Sequence, residues 1–366
     1  MGSVTIYQVA TAAGVSPSTV SNLLNGRANR MLPETRQRVE SAIRDLGYQP
    51  NRAARQLRTR RVQVVGLIVP SVANPFWGML AEHVEAAANA AGYRVLLCNS
   101  ERDPQRESDC VEELWADGIR GIILCTSLPS LKHLRPLIQQ GLAIVAFDRT
   151  AQIGDPRGIV DVTIDNVAGA ALATKHLLDL GHRRVGFVSG AIGSINRRER
   201  HRGFHDALHA AGLNHGAGIV WSGAGTGGYA DDDVAELGHR AAIELLARPD
   251  PPTGIVAVND MCALGICAGV RQAGLRIGRD VSVVGFDDIP LAGLAYPPLT
   301  TMRQPLATMA AVAFDQLRAR IEGSPPAPRG ESIRTRPELV VRASTAAPPD
   351  VPSRRPTRRL GTIRPT

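Results

Sequence analysis

The stretch from Ile6 to Asn25 constrains the fold most, because it has the spacing of two short helices joined by a tight turn. Ala10 is small enough for a second helix to cross close by, Gly14 can adopt the positive φ that ends a first helix, and Val20 can fill the space between them. A helical hairpin without a ligand is the alternative. The pattern predicts a helix-turn-helix, a motif typical of DNA-binding proteins.

Capping residues mark the same helices independently. Thr5 with Gln8 three residues later predicts a capping box at the start of the first helix. Ser16 followed by Pro17 supplies an N-cap and an N1 proline for the second helix. Pro33 opens a third helix. Its predicted apolar row is Val39, Ile43 and Leu46, and its predicted stop is Gly47.

The positive charge of the chain is concentrated at its two ends. Residues 1–61 hold ten arginines and three acids, and residues 346–366 hold five arginines and one acid. Because the whole chain carries +8, residues 62–345 carry a net charge of −3. The basic pI of 9.8 therefore belongs to the ends, which indicates a polyanionic partner at the N-terminal end.

Length and composition exclude several classes of protein. A chain of 366 residues that is 44% hydrophobic can bury a large core and is expected to form two or three domains. There is no apolar run of 18 residues and no apolar signal core, so we expect a cytoplasmic protein without a membrane partner. The five cysteines lack C-x-x-C spacing, and reduced, buried thiols are expected.

The short basic segment from Asn51 to Arg61 has two readings. Ala54 and Leu57 are spaced i, i+3 and would share one face of a helix. A plain linker would not need an exposed leucine. A helix that orders only on DNA would use Leu57 as a wedge at a minor-groove base step, flanked by arginines on phosphates.

The remainder alternates apolar strand patterns with helical patterns, which predicts parallel sheets buried on both faces. The predicted strands are Val64–Pro70, Arg94–Cys98, Gly121–Cys125, Ala143–Phe147, Val185–Ser189, Ile255–Val258 and Ser282–Phe286. The predicted helices are Pro75–Ala91, Gln105–Asp117, Asn166–Leu180, Arg198–Ala211, Asp233–Leu246, Met261–Ala273 and Leu306–Glu322. About 280 residues are too many for one sheet, so two doubly wound lobes are expected.

Polar residues follow several of these strands at their carboxyl ends, where ligands bind in such sheets. They are Asn74, Asp148, Arg149, Asn259, Asp260, Asp287 and Asp288.

The chain resembles the lactose-repressor (LacI/GalR) family of bacterial transcription regulators, over residues 4 to about 344. The head resembles the family in VTIYQVATAAGVSPSTVSNLLNG, and the hinge in GYQPNRAARQL. The core blocks that match in order are NPFW, HLLDLGHRRVGFVSG, RRERHRGF, AVNDMCALG, SVVGFDDIP and PPLTTMRQP.

The resemblance implies a small all-α helix-turn-helix domain (residues 1–50), a hinge helix (51–61) and an α/β core like a periplasmic sugar-binding protein (62–345). The N-terminal lobe would comprise about 62–161 and 303–333. The C-terminal lobe would comprise about 164–301 and 334–345. The effector is expected between the lobes, which the chain crosses three times. A basic tail (346–366) follows, and its repeated prolines predict disorder.

By the same resemblance the second helix enters the major groove, with Pro17, Ser18 and Asn22 nearest the base edges. Many relatives carry arginine where this chain has Asn22, and asparagine prefers adenine whereas arginine reads guanine. The residues expected to bind DNA are Thr5, Tyr7, Ser16, Pro17, Ser18, Thr19, Ser21, Asn22, Asn25, Asn51, Ala54, Arg55 and Leu57.

The resemblance also implies an effector site suited to a polyol, since carboxylates and arginines bond hydroxyls and aromatic faces cover a sugar ring. Its residues would be Asn74, Phe76, Trp77, Asp148, Arg149, Arg200, Asn259, Asp287 and Gln304. For each acid alone, a helix N-cap or an inter-lobe salt bridge is the alternative. The set resembles ribose- and hexose-binding relatives more than the purine-binding branch.

Other patterns indicate no further chemistry. The glycines from Gly223 to Gly228 lack the strand and helix of a nucleotide loop. His182, His201, His205 and His209 have no completing ligands and favour a solvated face. There is no catalytic dyad with a positioned base, so the chain is predicted not to be an enzyme and to need no metal or cofactor.

Three function classes remain. A ligand-controlled repressor that binds a palindromic DNA operator as a homodimer uses head, hinge and cleft together. A periplasmic-type sugar-binding protein uses the core alone, and a ligand-independent architectural DNA-binding protein leaves the polar cleft without a purpose. Dimerisation is expected through the core, chiefly through the helices at 75–91 and 261–273.

Overall fold

A computed structural model describes residues 4–24, 31–48, 64–126, 128–213, 218–223, 234–328 and 330–349. The chain divides into two compact units, residues 1–62 and 63–366. The predicted hinge at 51–61 lies outside the described residues, with its candidate residues Asn51, Ala54, Arg55 and Leu57.

The first unit is a three-helix head. Its helices are α1 (Ile6–Ala13), α2 (Pro17–Leu24) and α3 (Pro33–Asp45). Its core is formed by Val9, Ala10, Ala13, Val20, Val39 and Ala42. Leu46, predicted to belong to the apolar row of α3, is the C-cap of that helix and is 37% exposed, whereas Ala42 is buried in the core.

The caps of the head agree with the sequence. The Gln8 amide donates to the Thr5 hydroxyl, and the Thr5 amide donates to the Gln8 side chain at 2.8 Å. Gly14 ends α1 in the left-handed region at φ 65°. The Thr19 amide donates to the Ser16 hydroxyl at 3.2 Å, which caps α2. The helix-turn-helix prediction is confirmed in its local geometry.

The second unit alternates strands with helices. Its strands are β1 (Val64–Val69), β2 (Arg94–Asn99), β3 (Gly121–Cys125), β4 (Ala143–Phe147), β5 (Ile159–Ile164), β6 (Val185–Ser189), β7 (Gly218–Ser222), β8 (Gly254–Ala257), β9 (Ser282–Asp287), β10 (Thr300–Arg303), β11 (Ser332–Thr335) and β12 (Glu338–Val340). Its α-helices are α4 (Pro75–Ala90), α5 (Pro104–Ala116), α6 (Arg135–Gln139), α7 (Asn166–Asp179), α8 (Ile195–Ala210), α9 (Val234–Leu246), α10 (Asp260–Gln272), α11 (Pro290–Leu294) and α12 (Leu306–Ile321).

The strands form two six-stranded sheets, each the centre of one lobe. The first lobe has the order β11-β5-β4-β3-β1-β2, with all neighbours parallel. The second lobe has the order β12-β10-β9-β8-β6-β7, parallel except for β12, which is antiparallel to β10. The chain crosses between lobes at 164–166, 303–306 and 335–338.

Two details of the second lobe differ from the sequence reading. His182 is buried, not solvated: its ring bonds the hydroxyls of Thr253 and Ser282 at 2.9 and 3.0 Å, and the carbonyl oxygen of Ala346 at 2.9 Å. The Ala346 amide in turn donates to the Ser282 hydroxyl at 3.0 Å. The beginning of the segment predicted to be disordered is therefore attached to the second lobe by hydrogen bonds. Residues 350–366 lie outside the described residues.

Within the described ranges, no helix combines the length and apolar character needed to cross a bilayer.

Candidate functional sites

The first candidate site is the outer face of α2 in the head. Ser18 and Asn22 are both exposed and lie one helical turn apart, so they point to the same side. Tyr7 on α1 is 70% exposed. Thr5, Ser16 and Thr19 use their side chains in helix caps. An exposed turn of α2 with two side chains that can donate and accept hydrogen bonds suits a base edge.

Ser21, predicted to bind a phosphate, is the least exposed of the candidate DNA-binding residues that the structure describes. It is only 6% exposed and follows the buried Val20 on α2. A side chain so placed packs against the head and presents little surface to DNA. Asn25 lies outside the described residues.

The second candidate site is a cleft between the two lobes, at the carboxyl ends of their strands. Asparagines, arginines and aspartates from both lobes converge there with two aromatic rings. The lining residues are Pro70, Asn74, Phe76, Trp77, Arg102, Cys125, Thr126, Asp148, Asn196, Arg197, Arg200, Val258, Asn259 and Asp287.

Two aromatic rings enter the cleft at the start of α4. Asn74 caps this helix by accepting from the Phe76 amide at 3.1 Å, so the sequence fixes the direction in which the rings leave the backbone. Phe76 and Trp77 meet edge to face, with ring centroids 4.8 Å apart. The Trp77 Nε1 is buried and has no hydrogen-bond partner among the described residues. A donor beside the cleft thus remains available to a ligand.

Asp148 follows β4 in the left-handed region, at φ 61°. One carboxylate oxygen accepts from the Asn196 amide at 2.6 Å, and the other has no partner in the described structure. Burial raises the pKa of Asp148, while Arg200 and the Asn196 hydrogen bond act against that rise. Strained backbone of this kind is a common feature of functional sites.

Asp287 occupies the matching position after β9, at φ 129°. It accepts from the Gln304 amide at 2.8 Å, which places Gln304 behind the carboxylate and outside the residues that line the cleft. Burial raises the pKa of Asp287 well above its usual range, against the opposing effect of Arg200. Asn259 lines the cleft and also caps α10 by accepting from the Cys262 amide at 2.9 Å.

Arg200 is held from three directions. Its Nε donates to Asn166 at 2.8 Å and its Nη1 donates to the carbonyl oxygen of Val258 at 2.6 Å. The guanidinium lies 3.7 Å over the ring centre of Phe286, a cation–π contact. These contacts fix the guanidinium beside the two carboxylates.

Arg149 lies one residue after Asp148 but in different surroundings, contrary to the prediction that it binds effector. It is fully buried and pairs with Asp155 at 2.9 Å and Asp161 at 3.4 Å, and it is not among the residues that line the cleft. The left-handed backbone at Asp148 turns the chain, so the adjacent side chains face different surroundings.

Sequence reasoning missed seven of the lining residues, among them the polar side chains of Arg102, Asn196 and Arg197. Arg102 lies three residues after the end of β2, so the rule of polar residues beyond strand ends would have found it. Arg197 lies one helical turn before Arg200 on α8, and Asn196 precedes it.

Side chains also bridge the lobes beside the cleft. The Thr150 hydroxyl bonds Glu199 on α8, and the Asn196–Asp148 bond spans the same gap. The cavity in the cleft measures about 40 Å³, whereas small-molecule sites typically measure roughly 300–1,000 Å³. We therefore expect a ligand the size of a sugar to bind when the lobes separate and these bridges open.

Comparisons with known proteins agree with this arrangement. The model of "Bacterial regulatory proteins, lacI family" matches residues 5–51, and that of a "Periplasmic binding protein-like domain" matches residues 174–345. The chain is 33% identical over 342 residues to the HTH-type transcriptional regulator DegA of Bacillus subtilis, covering 93% of this chain and 98% of that protein. It is 33% identical over 344 residues to the ribose operon repressor of Escherichia coli K12, covering 93% and 99%.

Among solved structures, the Lac repressor dimer bound to operator and the anti-inducer ONPF matches with a TM-score of 0.80 and 26% identity, covering 94% of this chain and 100% of that one. The family resemblance and the fold class predicted from the sequence motifs are both confirmed. The chain belongs to the lacI family of bacterial regulatory proteins.

Proposed function

We propose that this protein is a ligand-responsive transcriptional repressor whose affinity for an operator changes when a sugar binds between the core lobes. The observation that carries the proposal is that one chain combines a helix-turn-helix head with a polar cleft. Two buried atoms of that cleft, Trp77 Nε1 and one carboxylate oxygen of Asp148, have no hydrogen-bond partner among the described residues. A buried polar group without a partner costs about 1–3 kcal/mol, and a polar ligand that bonds Trp77 Nε1 and the free oxygen of Asp148 removes that cost.

The two other function classes each leave one of these features unused. A sugar-binding protein without a DNA partner has no need of the exposed pair Ser18 and Asn22 on a head of its own. An architectural DNA-binding protein has no need of the strained carboxylates Asp148 and Asp287 in a cleft. A repressor controlled by a ligand uses both.

The operator is expected to be palindromic and bound by a symmetric dimer. One head reads only a few base pairs, and a two-fold axis doubles the number that the protein reads. The Lac repressor is a dimer on its operator, and its fold is similar to that of this chain. Ser18 and Asn22 are the side chains that α2 offers to the base edges.

The dimer contact is expected where the core exposes apolar side chains. In the first lobe, the edge strand β2 exposes Leu96 and Leu97 at 44% and 45%. In the second lobe, Leu294 of α11 is 80% exposed and the nearby Tyr296 is 89% exposed. Exposed leucines on an edge strand are typical of an association surface.

The sequence reading named the helix at 261–273 (now α10) as a dimer helix. That helix is largely buried between α9 and the second sheet, so α11 replaces it in this proposal. The helix at 75–91, now α4, lies beside β2 and remains part of the proposed dimer contact.

Selection of DNA from a random library by the purified protein tests the proposal, followed by titration with sugars. We expect a palindromic consensus and a change in affinity for that DNA on adding the cognate sugar, with ribose tested first because a relative represses a ribose operon. The matched control is Asp287→Ala, which should bind the same DNA without a sugar response. A library that yields no consensus would refute the DNA-binding role.

A further inference from the structure

A second cavity lies in the first lobe, apart from the cleft between the lobes. It is a groove between α5 and the segment that joins β3 to β4, which contains a short 3-10 helix (Lys132–Leu134) and α6. Its volume is about 350 Å³, within the roughly 300–1,000 Å³ that is typical of small-molecule sites. The lining residues are Ser108, Glu112, Trp115, His133, Leu134, Pro136, Leu137 and Gln140.

One wall of the groove is a row of three side chains on α5. Ser108, Glu112 and Trp115 are spaced i, i+4 and i+7, so they follow one another along the helix. Each of them comes directly after a residue that α5 buries in the lobe. The row therefore lies at the border between core and solvent, where Ser108 and Trp115 are half-buried and Glu112 is exposed.

The indole of Trp115 is held in place by Arg120. The guanidinium carbon lies 3.9 Å from the ring centre, a cation–π contact, and its Nη1 donates to the carbonyl oxygens of Trp115 and Ile119 at 3.0 and 3.3 Å. Arg120 does not itself line the groove, so it supports the ring from outside. Because the aromatic wall is already ordered, a ligand that packs on it loses less free energy to the ordering of side chains.

The opposite wall is attached to the interior of the same lobe. The Leu131 amide, directly before the 3-10 helix, donates to the buried carboxylate of Asp155 at 3.3 Å. Leu134 is buried at the end of that helix, and Pro136 lies in the first turn of α6. Both walls belong to the first lobe, so the shape of the groove does not depend on the distance between the lobes.

The protein makes no use of the polar side chains in this lining. Within the described residues, the side chains of Ser108, Glu112, His133 and Gln140 form no hydrogen bond, and none of them belongs to an ion pair. Their hydrogen-bonding atoms are therefore available to a ligand.

The groove carries one full charge at neutral pH, and that charge is negative. Glu112 is the one acid among the described lining residues, which include no lysine or arginine. Burial lowers the pKa of His133, although the charge of Glu112 acts in the opposite direction. The imidazole is then mostly neutral at pH 7 and does not balance the carboxylate. A negative charge thus lies beside an aromatic ring and three apolar side chains.

We propose that this groove is a second ligand site, separate from the effector cleft, and that it binds a small organic cation, an amine that carries an apolar ring. The carboxylate of Glu112 accepts from the ammonium group, with the Ser108 hydroxyl and the Gln140 amide oxygen as further acceptors. The ring of the ligand packs against Trp115 and the apolar side chains of the opposite wall. Binding there requires neither DNA nor the cleft, so its failure would leave the proposed function untouched.

Three probes that share a phenyl ring and differ in the head group test the charge of the ligand: 2-phenylethylamine, 2-phenylethanol and phenylacetate. Binding to the full-length protein is measured by saturation-transfer NMR without DNA. We expect the amine to bind about threefold or more tightly than the alcohol, since an exposed ion pair is a modest contribution. Phenylacetate should bind most weakly, because Glu112 repels its carboxylate. Equal or tighter binding of the alcohol or of phenylacetate would overturn the proposal, and so would the lack of saturable binding of the amine.

The variant Glu112→Gln should abolish the preference for the amine over the alcohol, because it removes the charge and keeps the shape of the side chain. Glu113→Gln is the matched control. It removes the same charge from the next residue of α5, which is exposed and does not line the groove, and it should keep the preference. Unchanged amine binding in Glu112→Gln would place the amine elsewhere, for example at the carboxylates of the cleft, and would overturn the assignment.

The aromatic wall is tested by Trp115→Leu, which should weaken the binding of the amine and of the alcohol alike, since both place a ring against the indole. Trp115→Phe keeps an aromatic wall and should retain most of the binding, which separates the loss of a ring contact from a folding defect. Wild-type binding of both probes by Trp115→Leu would contradict the proposed site.

Titration at several protein concentrations distinguishes a small ligand from a second copy of the chain. We expect an affinity for 2-phenylethylamine that does not depend on protein concentration. An affinity that falls as protein concentration rises would mean that another copy covers the groove, and the assignment to a small molecule would be wrong.

Discussion

The two lobes of the core share one strand order, apart from the direction of the last edge strand, but their interiors are filled in different ways. In the second lobe the paired helices α7 and α8, and α9 and α10, approach so closely that glycine is required between them. A Cβ atom on Gly203 would lie 2.1 Å from the carbonyl oxygen of Val167, and one on Gly265 would lie 1.8 Å from that of Ala235. The first lobe buries a group of charged side chains behind Asp148, formed by Glu107, Arg149, Asp155 and Asp161. In the second lobe the buried Asp260 is bonded by the Ile289 amide and the Thr301 hydroxyl rather than by an arginine.

This difference predicts which kind of substitution destabilises each lobe most. Backbones in close contact leave no room for an added atom, so the second lobe should respond strongly to volume. Buried ionisable groups need charge balance and desolvation, so the first lobe should respond to the removal of a charge and to pH.

The largest effect is expected from Arg149→Ala in the first lobe. The substitution leaves Asp155 and Asp161 buried without their counter-charge, and breaking a buried ion pair in this way costs about 3–5 kcal/mol. Chemical denaturation should show this loss of free energy of unfolding, while the ratio of DNA affinities with and without effector stays as in the wild type. An unchanged stability with a lost effector response would mean that Arg149 binds effector, as the sequence resemblance implied.

Gly265→Ala should be nearly as damaging in the second lobe. The new Cβ would overlap the backbone of Ala235, and α9 and α10 must separate, at about 3 kcal/mol or more. Denaturant unfolding measures the change. Gly78→Ala on α4 of the first lobe is the matched control: no atom lies within 4 Å of its added Cβ, so it should stabilise by about 0.5–1 kcal/mol. Equal effects at the two glycines would contradict the contrast in packing.

The strands of the core show how much of the fold can be predicted from the sequence. β3, β4 and β6 begin and end as predicted, because each is an uninterrupted apolar run between turn residues. β5 (Ile159–Ile164) was missed because Asp161 and Thr163 interrupt its apolar pattern, although both are buried. Short strands such as β10 and β11 are polar in sequence and form only because a neighbouring strand offers hydrogen bonds. Local sequence patterns do not show which strands will be neighbours.

Glu107→Gln tests the pH sensitivity of the first lobe. Burial raises the pKa of Glu107 from 4.5 to about 7, although its bond to Thr126 and the charge of Arg149 oppose the rise. The unfolded chain releases this proton at lower pH than the folded one, so stability falls as pH rises from about 4.5 to about 7, by up to roughly 3 kcal/mol.

Above pH 7 the glutamine variant should be more stable than the wild type. As pH rises from about 4.5 to about 7, its free energy of unfolding should fall less steeply than that of the wild type. Part of the slope should remain, because burial also raises the pKa of Asp161 to about 7. Urea unfolding over this pH range measures both effects, with the exposed Glu112→Gln on the same helix as control. Identical pH slopes for the wild type and Glu107→Gln would show that Glu107 is not the responsible group.

Arg200→Ala differs from Arg149→Ala because it should weaken effector binding, in addition to the loss of stability that follows from removing the main counter-charge of the buried Asp148 and Asp287. The guanidinium lies beside Asp148 and Asp287, and each charge-assisted hydrogen bond to an effector contributes about 1.5–3 kcal/mol. The variant should bind DNA as the wild type does and bind effector tenfold more weakly or worse. Because effector and operator affinities are linked, the gel-shift response to effector should fall by the same factor. A wild-type response would place the effector elsewhere.

The candidate site was less predictable than the fold for a physical reason. Strand ends locate Asp148 and Asp287, because parallel strands finish at one edge of a sheet. Sequence position does not tell which way the next side chain points, and so Arg149 was assigned to the cleft and Arg102 was not. The left-handed backbone at Asp148 and Arg102 sets the direction of these side chains, and that backbone conformation depends on contacts with distant elements.

The smallest effect concerns the C-terminal segment, and it separates two truncations only a few residues apart. Ala346 bonds Ser282 and His182 of the second lobe, so deleting residues 346–366 removes these bonds and should cost about 1 kcal/mol. Deleting residues 350–366 leaves the bonds in place and should leave the free energy of unfolding unchanged. Both proteins should remain dimers by light scattering, because the exposed leucines of β2 and α11 are kept. A monomer after either deletion would move the dimer contact to the tail, and equal stability of the two truncations would show that Ala346 does not stabilise the second lobe.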